Sequence, residues 1–201
     1  MMNTPTKKLI VAGGALVVLV LVSCGLTGCK LPWSKGGNQG DSAVTNTSPA
    51  EIPGLVPDPG EAGKATLAGI ITNPKGVRDD IYNFILINHQ DSEKTREALF
   101  QYAKVVQNAL LDANDKQKSV KHGEEVSRAS ECLTYVLGND VVAARESYNM
   151  KRDLRPIILN TDARNKAYFS YNKLLGTEYF PGTPDSQIAS TCDFNVVSLP
   201  N

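Results

Sequence analysis

From residue 77 onward, hydrophobic positions recur every three or four residues, which is the period of one face of an α-helix. The strongest repeat covers residues 93–113, where neither glycine nor proline interrupts the pattern. Similar stripes predict further helices at residues 77–88, 119–137, 141–154 and 162–175. The pattern therefore predicts an all-α fold, a small bundle of four or five helices with short connections.

Polar residues, glycines and prolines between these stripes predict where the helices begin and end. Asn73-Pro74 is typical of a helix start, because the amide side chain can cap and proline suits the first helical position. Gly138 and Gly176 are placed to end helices, and Pro156 is expected to end or kink one. Capping side chains are expected at Asp91 or Ser92, Asn139 or Asp140, and Asn160-Thr161.

The remaining segments lack a sustained period. Residues 65–72 are apolar and fit a short helix or a short strand, and the tail at 177–201 is irregular with a possible strand at 194–199. Residues 30–64 are rich in Gly, Pro, Ser, Thr and Asn and predict a disordered tether. The helical domain is therefore expected at residues 65–201.

The N-terminus has the order of a secretory signal. Lys7 and Lys8 precede an apolar run at residues 9–22, and small residues follow it. The run is about 14 residues long, below the roughly 20 that span a bilayer as a helix. An uncleaved signal anchor is the alternative to a cleaved signal.

Two cysteines follow this run, in Leu21-Val22-Ser23-Cys24 and Leu26-Thr27-Gly28-Cys29. Both tetrapeptides resemble the lipobox of bacterial lipoproteins. The resemblance implies cleavage before one cysteine, lipidation of its sulfur, and anchoring in a membrane through two or more acyl chains.

Either cysteine can be the lipidated one. Cys24 follows the apolar run directly, but Cys29 is favoured because it leaves an even number of cysteines, Cys132 and Cys192, in the exported part. The expected organisation is a signal peptide at 1–28, a lipidated Cys29 with its tether at 29–64, and then the domain. In lipoproteins of Gram-negative bacteria, Asp after the lipidated Cys tends to retain the protein at the inner membrane. Lys30, or Gly25 in the alternative, therefore implies the outer membrane, facing the periplasm.

Cys132 and Cys192 predict a disulfide that ties the irregular tail to the bundle. An exported protein resides where disulfides form and persist, so two buried free thiols are the weaker alternative. Since the sequence contains no CxxC, a redox-active pair is not expected.

Charge gives no indication of a nucleic-acid partner. The chain has 21 basic and 21 acidic residues, and removal of Lys7 and Lys8 with the signal leaves a net charge of −2. Nucleic-acid-binding domains normally carry a basic patch. The expected partners are a membrane, through the lipid anchor, and another envelope protein.

No arrangement of residues in the sequence indicates catalysis, a metal or a cofactor. His122 lies close to Glu124 and Glu125, but the HExxH spacing that places two imidazoles on one helix face is absent. A solvent-facing helix surface explains these carboxylates more simply. The alternative from another class is an envelope enzyme acting on peptidoglycan, with Glu124, Glu125 or Glu131 as general acid.

Aromatic residues concentrate near the C-terminus of the last predicted helix. Five of the chain's 13 aromatic residues fall within residues 168–180. Core packing against the tail is the simpler explanation, and a partner-binding surface is the alternative, since aromatic side chains anchor interfaces. The candidate partner-binding residues are Tyr168, Phe169, Tyr179 and Phe180.

Together these features predict a membrane-anchored bacterial envelope lipoprotein that acts by binding, as an accessory or assembly component of an envelope complex. A protective lipoprotein that blocks a toxin or phage is a further alternative.

Overall fold

The computed structural model describes residues 52–201, and its regular structure in that range is helical, without strands. Five α-helices follow one another along the chain: α1 Asp79–Asn88, α2 Glu93–Leu111, α3 Lys116–Val136, α4 Val141–Ile158 and α5 Asp162–Leu175. Short 3₁₀ segments occur at Ala62–Lys64, Asp185–Thr191 and Val196–Ser198. The predicted small all-α bundle is therefore confirmed.

Side-chain caps start the helices at four places, as the sequence chemistry indicates. Ser92 accepts a hydrogen bond from the backbone N–H of Thr95, and α3, α4 and α5 begin in the same way after Asp115, Asp140 and Thr161. Such a cap satisfies a backbone donor that lacks a helical partner. At the end of α5, Gly176 adopts a φ of 57°, a left-handed conformation that glycine tolerates best.

Helix α1 begins later than the Asn73-Pro74 signal predicts. The Asn73 side chain does not cap a helix at residue 74 but donates to Val77 O and to Asp79 Oδ1, both at 2.7 Å. These bonds hold residues 73–78 in a turn, and Arg78 occupies the N-cap position. The prediction of a helix start at Asn73-Pro74 is therefore wrong, because the asparagine amide is used to form a tertiary turn.

The structure also differs from three further local expectations. Of the two effects expected of Pro156, an end to the helix does not occur: α4 continues to Ile158, and Leu159 N donates to Arg155 O at 2.9 Å. The possible strand at 194–199 is a 3₁₀ turn, Val196–Ser198, in which the Asn195 side chain accepts from Val197 N. The segment 65–72 forms neither of its two predicted structures; it is irregular.

The hydrophobic core lies around α2, which contacts the other four helices. Its small residues Ala98, Ala103 and Ala109 are fully buried, so neighbouring helices approach its backbone closely. The ring of Tyr82 on α1 stacks on Phe100 of α2 with centroids 5.2 Å apart. Helix α3 packs more extensively against α2 than any other helix does.

Two buried arginines hold the irregular N-terminal part of the described chain against the bundle. Arg164 of α5, with no exposed surface, donates to the carbonyl oxygens of Gly63, Thr66 and Leu67 at 2.7–3.3 Å. Arg78 donates to Asp80 and to carbonyl oxygens at the C-terminus of α4. The contacts of the domain therefore extend N-terminally beyond residue 65, into the stretch whose composition predicts a tether.

The C-terminal tail is tied to α2 and α3. Cys132 and Cys192 form the expected disulfide, with Cα atoms 4.9 Å apart. The Gln101 side chain of α2 donates to Thr191 O at 2.8 Å and accepts from Asp193 N at 3.1 Å. A segment without a hydrophobic period is thus fixed by one covalent bond and by polar contacts with two helices.

Candidate functional site

A cleft of about 370 Å³ lies between α3 and residues 178–183. Helix α3 forms one wall and the segment after α5 forms the other. The lining residues are Val120, Glu124, Ser127, Arg128, Glu131, Glu178, Tyr179, Phe180, Pro181 and Thr183. We call this site the α3 cleft, and it combines aromatic, carboxylate and hydroxyl groups in one concavity.

The wall at residues 178–183 is held close to α3 by one glycine and one glutamate. A Cβ atom placed on Gly123 would lie 2.5 Å from the ring Cζ of Phe180, so only glycine lets this ring sit directly on the helix. Farther along α3, Oε1 of Glu131 accepts a hydrogen bond from Thr183 N at 3.1 Å. Residues 178–183 are therefore held against α3 at two points, Phe180 and Thr183.

The charged groups of the α3 cleft differ in how they are already engaged. Lys116 pairs with Glu178 at 3.0 Å, and Arg128 donates to Ser190 O at 3.2 Å. Glu131 uses one oxygen for Thr183 N. Within residues 52–201, Glu124 makes neither an ion pair nor a hydrogen bond. Acceptor oxygens therefore remain free in the cleft.

The four candidate aromatic residues divide into two groups. Tyr179 and Phe180 line the α3 cleft, and Tyr179 is 83% exposed although it is aromatic. Tyr168 packs against the core beside Tyr171, with ring centroids 6.4 Å apart, and Phe169 is 71% exposed on α5. Neither Tyr168 nor Phe169 contributes to the cleft lining, so the structure does not place all four in one surface.

His122 lies one turn from the cleft, between two carboxylates. Its Nδ1 is 2.9 Å from Oε2 of Glu125, and its Nε2 is 3.0 Å from Oδ2 of Asp112. Carboxylate oxygens only accept, so a ring nitrogen that carries a proton donates to the carboxylate beside it. His122 is 8% exposed and joins the C-terminal end of α2 to α3. These contacts therefore connect two helices, and they engage Glu125, which does not line the α3 cleft.

The groups around His122 favour the ionised form of the Asp112 carboxylate. Hydrogen bonds from His122 and then from Lys118 hold the pKa of Asp112 below its usual value. Asp112 in turn raises the pKa of the Lys118 ammonium group through the same hydrogen bond. In the sequence His122 lies beside Glu124 and Glu125, and no pattern there indicates Asp112, which lies ten residues earlier and is brought near by the α2–α3 turn.

The three glutamates considered as general acids are not equivalent. Glu124 and Glu131 line the cleft seven residues apart on one face of α3, and Glu125 is engaged by His122. Within the described residues, His, Cys, Asp and Glu side chains form no group of three or more suited to hold a metal ion. Helices in that range also include none long and apolar enough to span a membrane.

A second concavity, of about 900 Å³, lies between residues 52–58 and α1. Its lining is mainly apolar, with contributions from Phe84 and Ile87 of α1. Two carboxylates line it: Asp80 is paired with Arg78, and Asp58 accepts from Gly60 N.

Cys24 and Cys29, the two candidate lipidation sites, lie outside the described residues. Comparison with protein-family models, with curated proteins and with solved structures finds no match for this chain. The comparisons accordingly provide no evidence of catalysis.

Proposed function

We propose that this protein is a lipid-anchored envelope lipoprotein whose helical domain binds a partner protein as an accessory or assembly component. The part of the predicted tether that precedes the described residues, 30–51, has 22 residues and would reach roughly 23–28 Å as a flexible chain, which would let the domain work away from the membrane. The single observation that supports binding most directly is the α3 cleft, where an exposed Tyr179 borders a concavity with free carboxylate oxygens.

The Cys132–Cys192 disulfide supports an exported location. Disulfides persist in oxidising compartments such as the bacterial periplasm and are rare in the cytosol. This observation agrees with the lipobox resemblance at Cys24 and Cys29, whereas the choice of Cys29 over Cys24 already rests on the pairing of Cys132 with Cys192. The proposed site is the outer membrane, facing the periplasm.

Intact mass of protein extracted from membranes tests the anchor. A chain beginning at Cys29 and carrying acyl groups is the expected result, and Cys29→Ser should abolish the acyl mass. Cys24→Ser is the matched control and should leave acylation intact. If acylation survives Cys29→Ser and disappears with Cys24→Ser, the anchor is Cys24; a full-length chain without acyl groups would overturn the lipoprotein proposal.

Site-specific photo-cross-linking in intact cells tests the binding role. A photoreactive residue replaces Tyr179 at the cleft, and the matched control replaces Tyr148, which is 60% exposed on α4. We expect a discrete adduct from position 179 and none from position 148. Identification of the cross-linked protein separates an assembly role from protection against a toxin or phage, because the latter partner comes from outside the cell.

A peptidoglycan-acting enzyme is the second candidate function. It is favoured only by the presence of two carboxylates, Glu124 and Glu131, in one cleft. General acid catalysis would require one of them to hold a proton beside the scissile bond. Release of soluble fragments from purified peptidoglycan, lost in both Glu124→Gln and Glu131→Gln, would support this function. Absence of fragments with the lipidated full-length protein would remove it.

A further inference from the structure

We infer that the α3 cleft docks a basic segment of the partner protein, with one lysine side chain entering between α3 and residues 178–183. This inference rests on the binding role proposed above and specifies the chemistry of the partner. It follows from the complementarity of the cleft's aromatic wall and free carboxylates to an alkylammonium group.

Shape supports a single inserted side chain. At about 370 Å³, the α3 cleft lies near the lower end of the roughly 300–1,000 Å³ typical of ligand pockets. Phe180 and Pro181 on one wall and Val120 on the other offer apolar surface to a methylene stem. Long basic side chains bury their stems along such surface while their charged ends contact polar groups.

Charge complementarity supports an ammonium group at the end of that stem. Three glutamates line the cleft against one arginine, Arg128. Glu178 is already paired with Lys116, whereas Glu124 has both oxygens free and Glu131 has one, within the described residues. An added cation would therefore meet the free oxygens of Glu124 and Glu131, whereas an added anion would face like charges.

Tyr179 adds an attraction that is independent of net charge. Its side chain is 83% exposed at the rim of the cleft, so its ring is open to a ligand. A cation near an exposed aromatic face gains about two- to fivefold in affinity. A lysine crossing the rim would contact the ring before it reaches the carboxylates.

Binding of a defined peptide to the full-length protein in detergent micelles tests this inference. The probe is a fluorescent glycine-lysine peptide, and the comparison is the same peptide with every lysine acetylated. We expect saturable, salt-sensitive binding of the first and loss of binding by the second, because acetylation removes the charge but keeps the stem. Equal binding of both peptides would overturn the inference.

Variants locate the binding site. Glu124→Gln and Tyr179→Ala should each weaken binding about two- to fivefold, the size expected for one exposed charge or one cation–π contact. Both positions are exposed, and thermal unfolding is followed to confirm that each variant is folded. Glu146→Gln on α4, also exposed, is the matched control and should change affinity by less than about twofold.

The results also separate this inference from the proposed function. If Glu146→Gln weakens binding as much as Glu124→Gln, the peptide binds by general charge and the lysine site is refuted. If the peptide does not bind but position 179 still yields a cross-link in cells, the cleft binds a partner of another chemistry. In that case the binding role stands and the inference fails.

Discussion

Removing the Cys132–Cys192 disulfide should destabilise the domain by about 4 kcal/mol. The bond joins residues separated by 60 positions, so it restricts a long loop in the unfolded chain. On the chain-entropy model, a closed loop of this length costs the unfolded ensemble about 4 kcal/mol of free energy. That is a large fraction of the roughly 5–15 kcal/mol by which ordinary domains are stable.

The native contacts of the tail do not replace this contribution. Gln101 makes two hydrogen bonds to the tail, at Thr191 O and Asp193 N, each contributing about 1 kcal/mol. These bonds are present with or without the disulfide, so they do not change the difference between the two forms. Without the covalent bond, however, the tail can detach before the helices unfold.

Urea unfolding of Cys132→Ala/Cys192→Ala, followed by far-ultraviolet circular dichroism, measures the loss. Alanine is preferred to serine because Cys132 is fully buried. With a slope of about 2 kcal/mol per molar urea, the midpoint should fall by about 2 M. Wild-type protein in reductant is the control and should shift similarly. A loss below about 1 kcal/mol would refute the loop-entropy reasoning.

Three further predictions concern buried charge. Arg164→Ala should cost about 3 kcal/mol, because it leaves one buried and two partly buried carbonyl groups unpaired. It should also accelerate amide exchange at residues 63–67, and unchanged exchange would contradict the role given to Arg164. Burial alone would raise the pKa of Asp79, but hydrogen bonds from Thr72 and Asn73 lower it overall. The free energy of unfolding, measured with urea, should therefore fall as the pH drops below about 4, and it should fall less in Asp79→Asn. Burial raises the pKa of Tyr171 to about 12, so stability should fall between about pH 10 and 12, because the phenol ionises first in the unfolded chain. If the unfolding free energy of Tyr171→Phe falls with pH as steeply as that of the wild type over this range, the assignment to Tyr171 is refuted.

The helices could be predicted from the sequence because their signals are local. Residues 162–175 match α5 at both ends, since Thr161 caps it and Gly176 ends it in a left-handed conformation. At α3 the predicted start is three residues late, because Asp115 caps a charged first turn that carries no hydrophobic period. Where a signal residue has a distant partner, as Asn73 has in Asp79, the local rule fails.

The position of residues 56–64 could not be predicted in this way. Composition indicates a tether there, because few side chains in this stretch can form a core. The structure holds it through backbone carbonyl groups: Val56 O accepts from Asn83, and Gly63 O accepts from Arg164, about one hundred residues later in the sequence. Composition reflects side chains only, so it gives no sign of a segment that is bound through its main chain.

The candidate site likewise depends partly on local signals in the sequence and partly on tertiary packing. From the sequence alone come the helical fold, the disulfide pair and an aromatic cluster near residue 180, since each depends on period, on cysteine number or on composition. Only the tertiary structure separates Tyr179 and Phe180 from Phe169 and places the first two beside Glu124. The reason is physical: a cleft is formed by side chains of two segments, and their approach depends on packing at Gly123, where only the absent Cβ lets the Phe180 ring reach the helix.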